Sequence, residues 1–172
     1  MFKSDINIPI QFFNRYIDQV PDISILDALE KLGPNMFDDH LSEMMLKADY
    51  AYEEGKWTVK QKLQHIIDTE RVFSYRAFVF ARHDSSMLPS FDQDDYAQVA
   101  NVDHKSVEDL MHEWHIVRIA ARLLFKTMSE GDLLFVGNAS GQQLNALALG
   151  YAICGHAIHH HKLLMTKYLP QQ

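Results

Sequence analysis

The stretch Gln142-Gln143-Leu144-Asn145-Ala146-Leu147-Ala148-Leu149-Gly150-Tyr151-Ala152-Ile153-Cys154-Gly155-His156-Ala157-Ile158-His159-His160-His161 decides the architecture. Apolar residues cover nearly every side of its first half, a pattern that belongs to a central helix rather than a surface one. Ser140 and Gln143 fit a capping box, which predicts a helix from about Gln142 to Tyr168, stopped by Pro170. Residues four apart on a helix lie one above the other, so His156 and His160 share a face with Leu149, Ala152, Ile153 and Leu163. That face points inward. His161 falls on the opposite side and is expected in solvent, while His159 borders the pair. Two imidazoles at this spacing can bind one metal ion at about 2.0–2.1 Å per bond. The same spacing also serves histidines that are merely satisfied or solvated, so a metal site needs a third ligand from another element.

Outward from this segment the periodicity predicts three more helical regions. The first runs from about Ser24 to Met45 on Ile25, Leu26, Leu29, Leu32, Met36, Phe37, Leu41, Met44 and Met45, with a break at Gly33-Pro34. A second starts at Thr58, with Gln61 completing a capping box, and carries Leu63, Ile66, Ile67, Phe73, Ala77 and Phe78 to about Arg82. A third starts at Ser106, paired with Asp109, and buries Leu110, Trp114, Val117, Ala121, Leu124 and Phe125 before ending near Met128. Between them lies a long connection, His83 to Lys105, with the acidic run Asp92-Gln93-Asp94-Asp95. Some strand character is confined to Leu133–Val136, and residues 1–22 read as an irregular lead-in with a short amphipathic piece at Ile8–Val20. Four helical regions without a convincing sheet predict an all-α, four-helix bundle over one domain, residues 1–172.

Composition narrows the function. Apolar residues make up 47% and charged residues 23%, ordinary for a globular protein able to bury a core. The net charge of -7, with no Lys/Arg cluster, argues against nucleic acid as a partner. No segment has the apolar length to cross a bilayer, and Met1–Phe13 does not read as a secretory signal. The single Cys154 rules out an internal disulfide and fits a reducing, cytoplasmic setting. Ten histidines are many for this size, and their placement carries more than their number.

His65, in Gln64-His65-Ile66-Ile67-Asp68-Thr69-Glu70-Arg71, is the best third ligand, although it lies off the centre of its helix's early apolar stripe, so periodicity leaves its direction open. The run Lys56-Trp57-Thr58-Val59-Lys60-Gln61-Lys62-Leu63-Gln64-His65-Ile66-Ile67-Asp68-Thr69-Glu70 resembles the W-[ST]-x-x-[EQ]-x-x-x-H-x-x-[DE] signature of the DinB (DNA-damage-inducible) family. Gly155-His156-x-x-x-His160 resembles that family's closing H-x-x-x-H, and Ser90-Phe91-Asp92-Gln93-Asp94-Asp95-Tyr96 is similar to a segment of its YfiT-like, bacillithiol-transferase branch. The resemblance covers roughly residues 24–169. It implies an up-down-down-up bundle in which His65, His156 and His160 hold one divalent metal ion, zinc or nickel.

Three protein ligands leave a position for water or substrate, and an open metal can acidify a bound water or thiol. The resemblance therefore implies a metal-dependent S-transferase or hydrolase acting on a small molecule, with a low-molecular-weight thiol as a candidate partner. Asp68, Glu70 and His159 are candidates to orient an imidazole or pass a proton. Solvated helix charges are the plainer reading of the two acids, and surface pairing is that of Arg76 and Arg82, which an anionic substrate could also meet. The alternative function is a non-catalytic stress-response or binding module braced by its metal; a metal-free interaction protein is a third. Pairing into a homodimer is an expectation from related bundles alone.

Overall fold

The computed structural model describes residues 1–9 and 12–169. The chain passes through α1 (Asn14–Ile17), α2 (Ile25–Lys31), α3 (Leu41–Leu46), α4 (Val59–Phe80), β1 (Met87–Leu88), α5 (Gln93–Val99), α6 (Val107–Lys126), α7 (Glu130–Leu134), β2 (Val136–Ala139), β3 (Gln142–Asn145) and α8 (Ala146–Leu163). A 3-10 segment, Pro34–His40, joins α2 to α3, and a π-helical turn, Leu164–Tyr168, extends α8. Pro170, the expected stop of the last helix, lies outside the described residues, as do Ile10 and Gln11 of the expected amphipathic piece.

Local capping fixes the starts of α4 and α6. Thr58 Oγ1 accepts from the Gln61 N–H at 3.2 Å and Gln61 Oε1 accepts from the Thr58 N–H at 2.9 Å. Ser106 and Asp109 repeat this exchange at 3.0 and 3.1 Å. Gly33-Pro34 splits the first helical region, as the missing proline donor requires.

The last helix begins later than its capping pattern suggests. Gln142–Asn145 pairs antiparallel with Val136–Ala139, and β1 adds to β2 in parallel, giving a small three-stranded sheet at one end of the bundle. Ser140 (φ 57°) and Gly141 (φ 74°) form the two-residue hairpin turn, whose geometry needs positive φ at both positions. Ser140 is thus a turn residue and not a cap. Asn145 caps α8 instead, accepting from the Ala148 N–H at 2.8 Å.

Contacts fix the helix directions. The amino end of α4 lies by the far end of the α8 segment, where the Tyr168 hydroxyl donates to Trp57 O at 2.7 Å, so these two run antiparallel. Lys105 meets Gln64 while Arg118 meets Glu70, so α4 and α6 run parallel. Ile25 packs at Gly150 and Phe37 at His161, which sets the first helical region parallel to α8. The order is up-down-down-up, and the α4-to-α6 connection must cross the bundle. One apolar cluster gathers around the first half of α8 and a second around Trp114 and Tyr168. Phe78, expected inside, is exposed, because the inward side of α4 at that end is taken by Ala77 and Phe80, and Phe78 lies on its outer side. Among the described residues no helix is long and apolar enough to cross a membrane.

Candidate metal centre

Antiparallel packing of α4 on α8 sets His65 opposite the His156/His160 pair. His65 Nε2 lies 3.1 Å from His156 Nε2, which lies 3.0 Å from His160 Nε2. All three residues are buried, at 7%, 4% and 5% exposure. An imidazole nitrogen has one in-plane lone pair or one proton, so His156 Nε2 cannot serve two neighbours in line. A cation satisfies all three at once. Two nitrogens bound to one ion at about 2.0–2.1 Å stand about 3 Å apart, the spacing found here. Among the described residues the buried His160 Nδ1 has no hydrogen-bond partner. The donor set fits a single divalent ion.

The surroundings keep these rings neutral. Burial, then the Lys62 charge, lowers the His65 pKa to about 3. His156 and His160 are pushed well below the usual histidine value, chiefly by burial and then by the neighbouring imidazoles. Neutral imidazoles offer lone pairs, which is what a metal ligand needs. Lys62 is itself lowered to about 8 by burial, with its Nζ 4.2 Å from the Trp57 ring centroid. Trp57 also packs on His65 at 4.8 Å between centroids, so the tryptophan of the sequence signature steers the first ligand.

The lead-in takes part in the site, which its irregular sequence did not announce. A Cβ on Gly155 would stand 2.1 Å from Tyr16 O, so only glycine lets α1 lie against α8 there. The close approach sets the Tyr16 ring against His156 at 5.3 Å and against His159 at 5.5 Å. A cavity of about 310 Å³ opens beside this contact, with His156, Tyr16, Phe73, Phe91, Thr69 and Arg76 among its walls. The glycine directly before His156 was the one available sequence signal for this packing.

Asp68 accepts from Gln64 Nε2 at 2.9 Å and pairs with Arg71 at 3.4 Å, and it lines a narrow crevice together with His65. Glu70 is not bonded to an imidazole: it accepts from Trp114 Nε1 at 2.7 Å and from Arg118 Nε and Nη2 at 2.6 and 2.9 Å. Its position, five residues past His65, turns it towards α6, which corrects the expectation that it orients a ligand. His159 is exposed and touches the edges of Tyr16 and His160. His161 is half-buried against Phe37 rather than in solvent, because the 3-10 segment covers that side of α8. Asp92, Asp94 and Asp95 are exposed, and Asp92 caps α5. Arg82 lies over Phe78 on the surface, whereas Arg76 is buried in the cavity wall and not surface-paired. Cys154 is buried, and burial pushes its thiol up to about 12.

Residues 31–164, most of the chain, match the DinB superfamily. The chain belongs to the DinB superfamily. Among solved structures, this DinB protein is similar to YfiT from Bacillus subtilis, itself described as a probable metal-dependent hydrolase with an unusual four-helix bundle topology. The TM-score is 0.62 at 16% identity, covering 90% of this chain and 85% of YfiT. At that identity the likeness shows the shared bundle. No curated protein matches the DinB chain described here.

Proposed function

We propose that the protein is a metal-dependent enzyme in which His65, His156 and His160 hold one divalent ion, zinc or nickel. A water or a low-molecular-weight thiol is activated there for attack on a small electrophilic substrate. The observation that carries this reading is the convergence of three buried Nε2 atoms, His156 among them lining an open cavity. Three protein donors leave room for a further ligand, the pattern of catalytic rather than structural sites. A divalent ion supplies Lewis acidity, which brings the ionisation of a water or a thiol towards neutral pH. The description of YfiT as a probable metal-dependent hydrolase supports the water branch.

The chain's own residues do the rest. The low pKa values of the three imidazoles keep their lone pairs available at neutral pH. Phe13, Phe73 and Phe91 make the cavity apolar, which strengthens every charge interaction within it. Cys154 is buried and protonated, so a thiol nucleophile comes from outside the chain. Asp68, in the crevice it shares with His65, and His159, at the outer edge of His160, are the groups assigned to pass protons.

Metal quantification on untagged protein tests the first half of this reading, with about one equivalent expected. Two screens test the second: ester and amide hydrolysis in water, and transfer of a low-molecular-weight thiol to an electrophile. His160→Ala is expected to lose the metal and the activity together. Activity that survives the substitution rejects metal-centred catalysis. Bound metal without activity in either screen favours the metal-braced module.

A further inference from the structure

The cavity wall holds a charge that no described residue neutralises. Arg76 is 4% exposed, and its Nη2 donates to Pro89 O and to Ser140 Oγ, both at 2.9 Å. Both acceptors are neutral. Among the described residues no carboxylate lies within ion-pair distance of Arg76. Buried charges are ordinarily paired, and Arg118, equally buried, clamps Glu70. None of the residues lining the cavity is acidic, in a chain with 23 acidic and 16 basic residues, and a second arginine, Arg15, lines it too. The excess of acid over the whole chain makes this local exclusion of carboxylates stand out.

A second observation points the same way. Thr69, 4% exposed, lines the cavity, and its buried hydroxyl has no hydrogen-bond partner among the described residues. His65, Thr69, Phe73 and Arg76 follow one another along one stripe of α4, over twelve residues or about 16 Å of helix. The cavity therefore has an ionic end at Arg76, an aromatic middle at Phe73 and Phe91, and an end at His156. A volume of about 310 Å³ suits a small organic molecule.

We propose that this cavity binds a small monocarboxylate with an apolar, ring-bearing body, its carboxylate seated on Arg76. Nη2 is taken by Pro89 and Ser140, while Nε and Nη1 keep donors to spare, and one guanidinium charge matches one carboxylate. The body lies between Phe73 and Phe91, with Thr69 part-way along it. The inference rests on the reading of this cavity as the substrate site, and it names the substrate class of the enzyme proposed above.

The test is a titration, followed by fluorine NMR, of the purified protein with 4-fluorobenzoate and with its neutral counterpart 4-fluorobenzamide. The carboxylate is expected to bind at least about tenfold more tightly than the amide. Arg76→Gln is expected to erase that difference, and Arg76→Lys to restore part of it. The same preference is expected after the metal is removed with a chelator. Equal binding of the two probes to the unmodified protein, or no binding of either, overturns the proposal without any variant. A preference that survives Arg76→Gln also overturns it, as does one that disappears with the metal, since the carboxylate then sits on the ion. Failure to take up metal breaks the metal-enzyme reading yet leaves the carboxylate preference readable, so the two failures are distinct.

Discussion

On the side of α4 that meets α6, Glu70 accepts three hydrogen bonds from Trp114 and Arg118. Arg118 Nη1 also donates to the carbonyls of Leu29 and Leu32 at the end of α2. The guanidinium fits there because Gly33 has no side chain: a Cβ would stand 2.1 Å from Arg118 Nη1. Every charge in that group is answered from within. On the side that faces the cavity, three imidazole nitrogens crowd together, and among the described residues the Thr69 hydroxyl has no partner and Arg76 has no acid. Both groups are buried to a similar degree. Burial alone therefore does not mark a functional polar cluster; donor and acceptor capacity left over after the fold has taken its share does.

The largest expected effect breaks the closed side. Arg118→Met leaves Glu70 buried without its cation and should cost about 3–5 kcal/mol of unfolding free energy in a urea titration. Arg76→Met, at equal burial, removes only contacts to neutral acceptors and should cost about 1 kcal/mol. Similar losses at the two arginines would abolish the distinction between the two sides of α4.

A second test uses pH. The folded-state pKa of His65 is lowered to about 3, and those of His156 and His160 are lowered as well. The unfolded chain accepts protons first as pH falls below the ordinary histidine value near 6.5, so stability is full above that value and is lost downward from it. In chelator, holding His65 neutral should cost about 2 kcal/mol between pH 6.5 and 5, read from urea midpoints, and His156 and His160 add to the loss in the same direction. His65→Gln should flatten the slope by one histidine's share. An unchanged slope would mean that His65 does not resist protonation in the fold.

The smallest effect sharpens the open side. Thr69→Val removes a buried hydroxyl without a partner at nearly constant shape and should leave stability unchanged or raise it by up to about 1 kcal/mol. A clear loss of stability would show that the hydroxyl serves the fold rather than the cavity.

Much of this architecture was legible before the tertiary structure. The caps at Thr58 and Ser106 and the break at Gly33-Pro34 depend on contacts within four residues, and all three lie where the sequence puts them. The start of α8 is ambiguous locally, because Ser140-x-x-Gln143 matches a capping box while Ser140-Gly141 also matches a hairpin turn. Pairing with Val136–Ala139 decides between them, and β1, separated from that strand by the whole of α5, α6 and α7, completes the sheet. The role of Glu70 was equally out of reach, because its partners lie 44 and 48 residues away.

The sequence by itself determined the helical bundle, most helix starts and the shared face of His156 and His160, since each follows from periodicity or capping over one or two turns. It also carried the His65 signature, though not the direction in which that side chain points. Only the tertiary structure decided that His65, 91 residues from His156, brings its nitrogen within 3.1 Å. The same is true of Gly155 admitting Tyr16 to the site, and of Arg76 ending in a wall without acids. Those facts come from helices packed across the bundle. No local rule encodes them, because contacts between distant segments depend on every side chain that lies between.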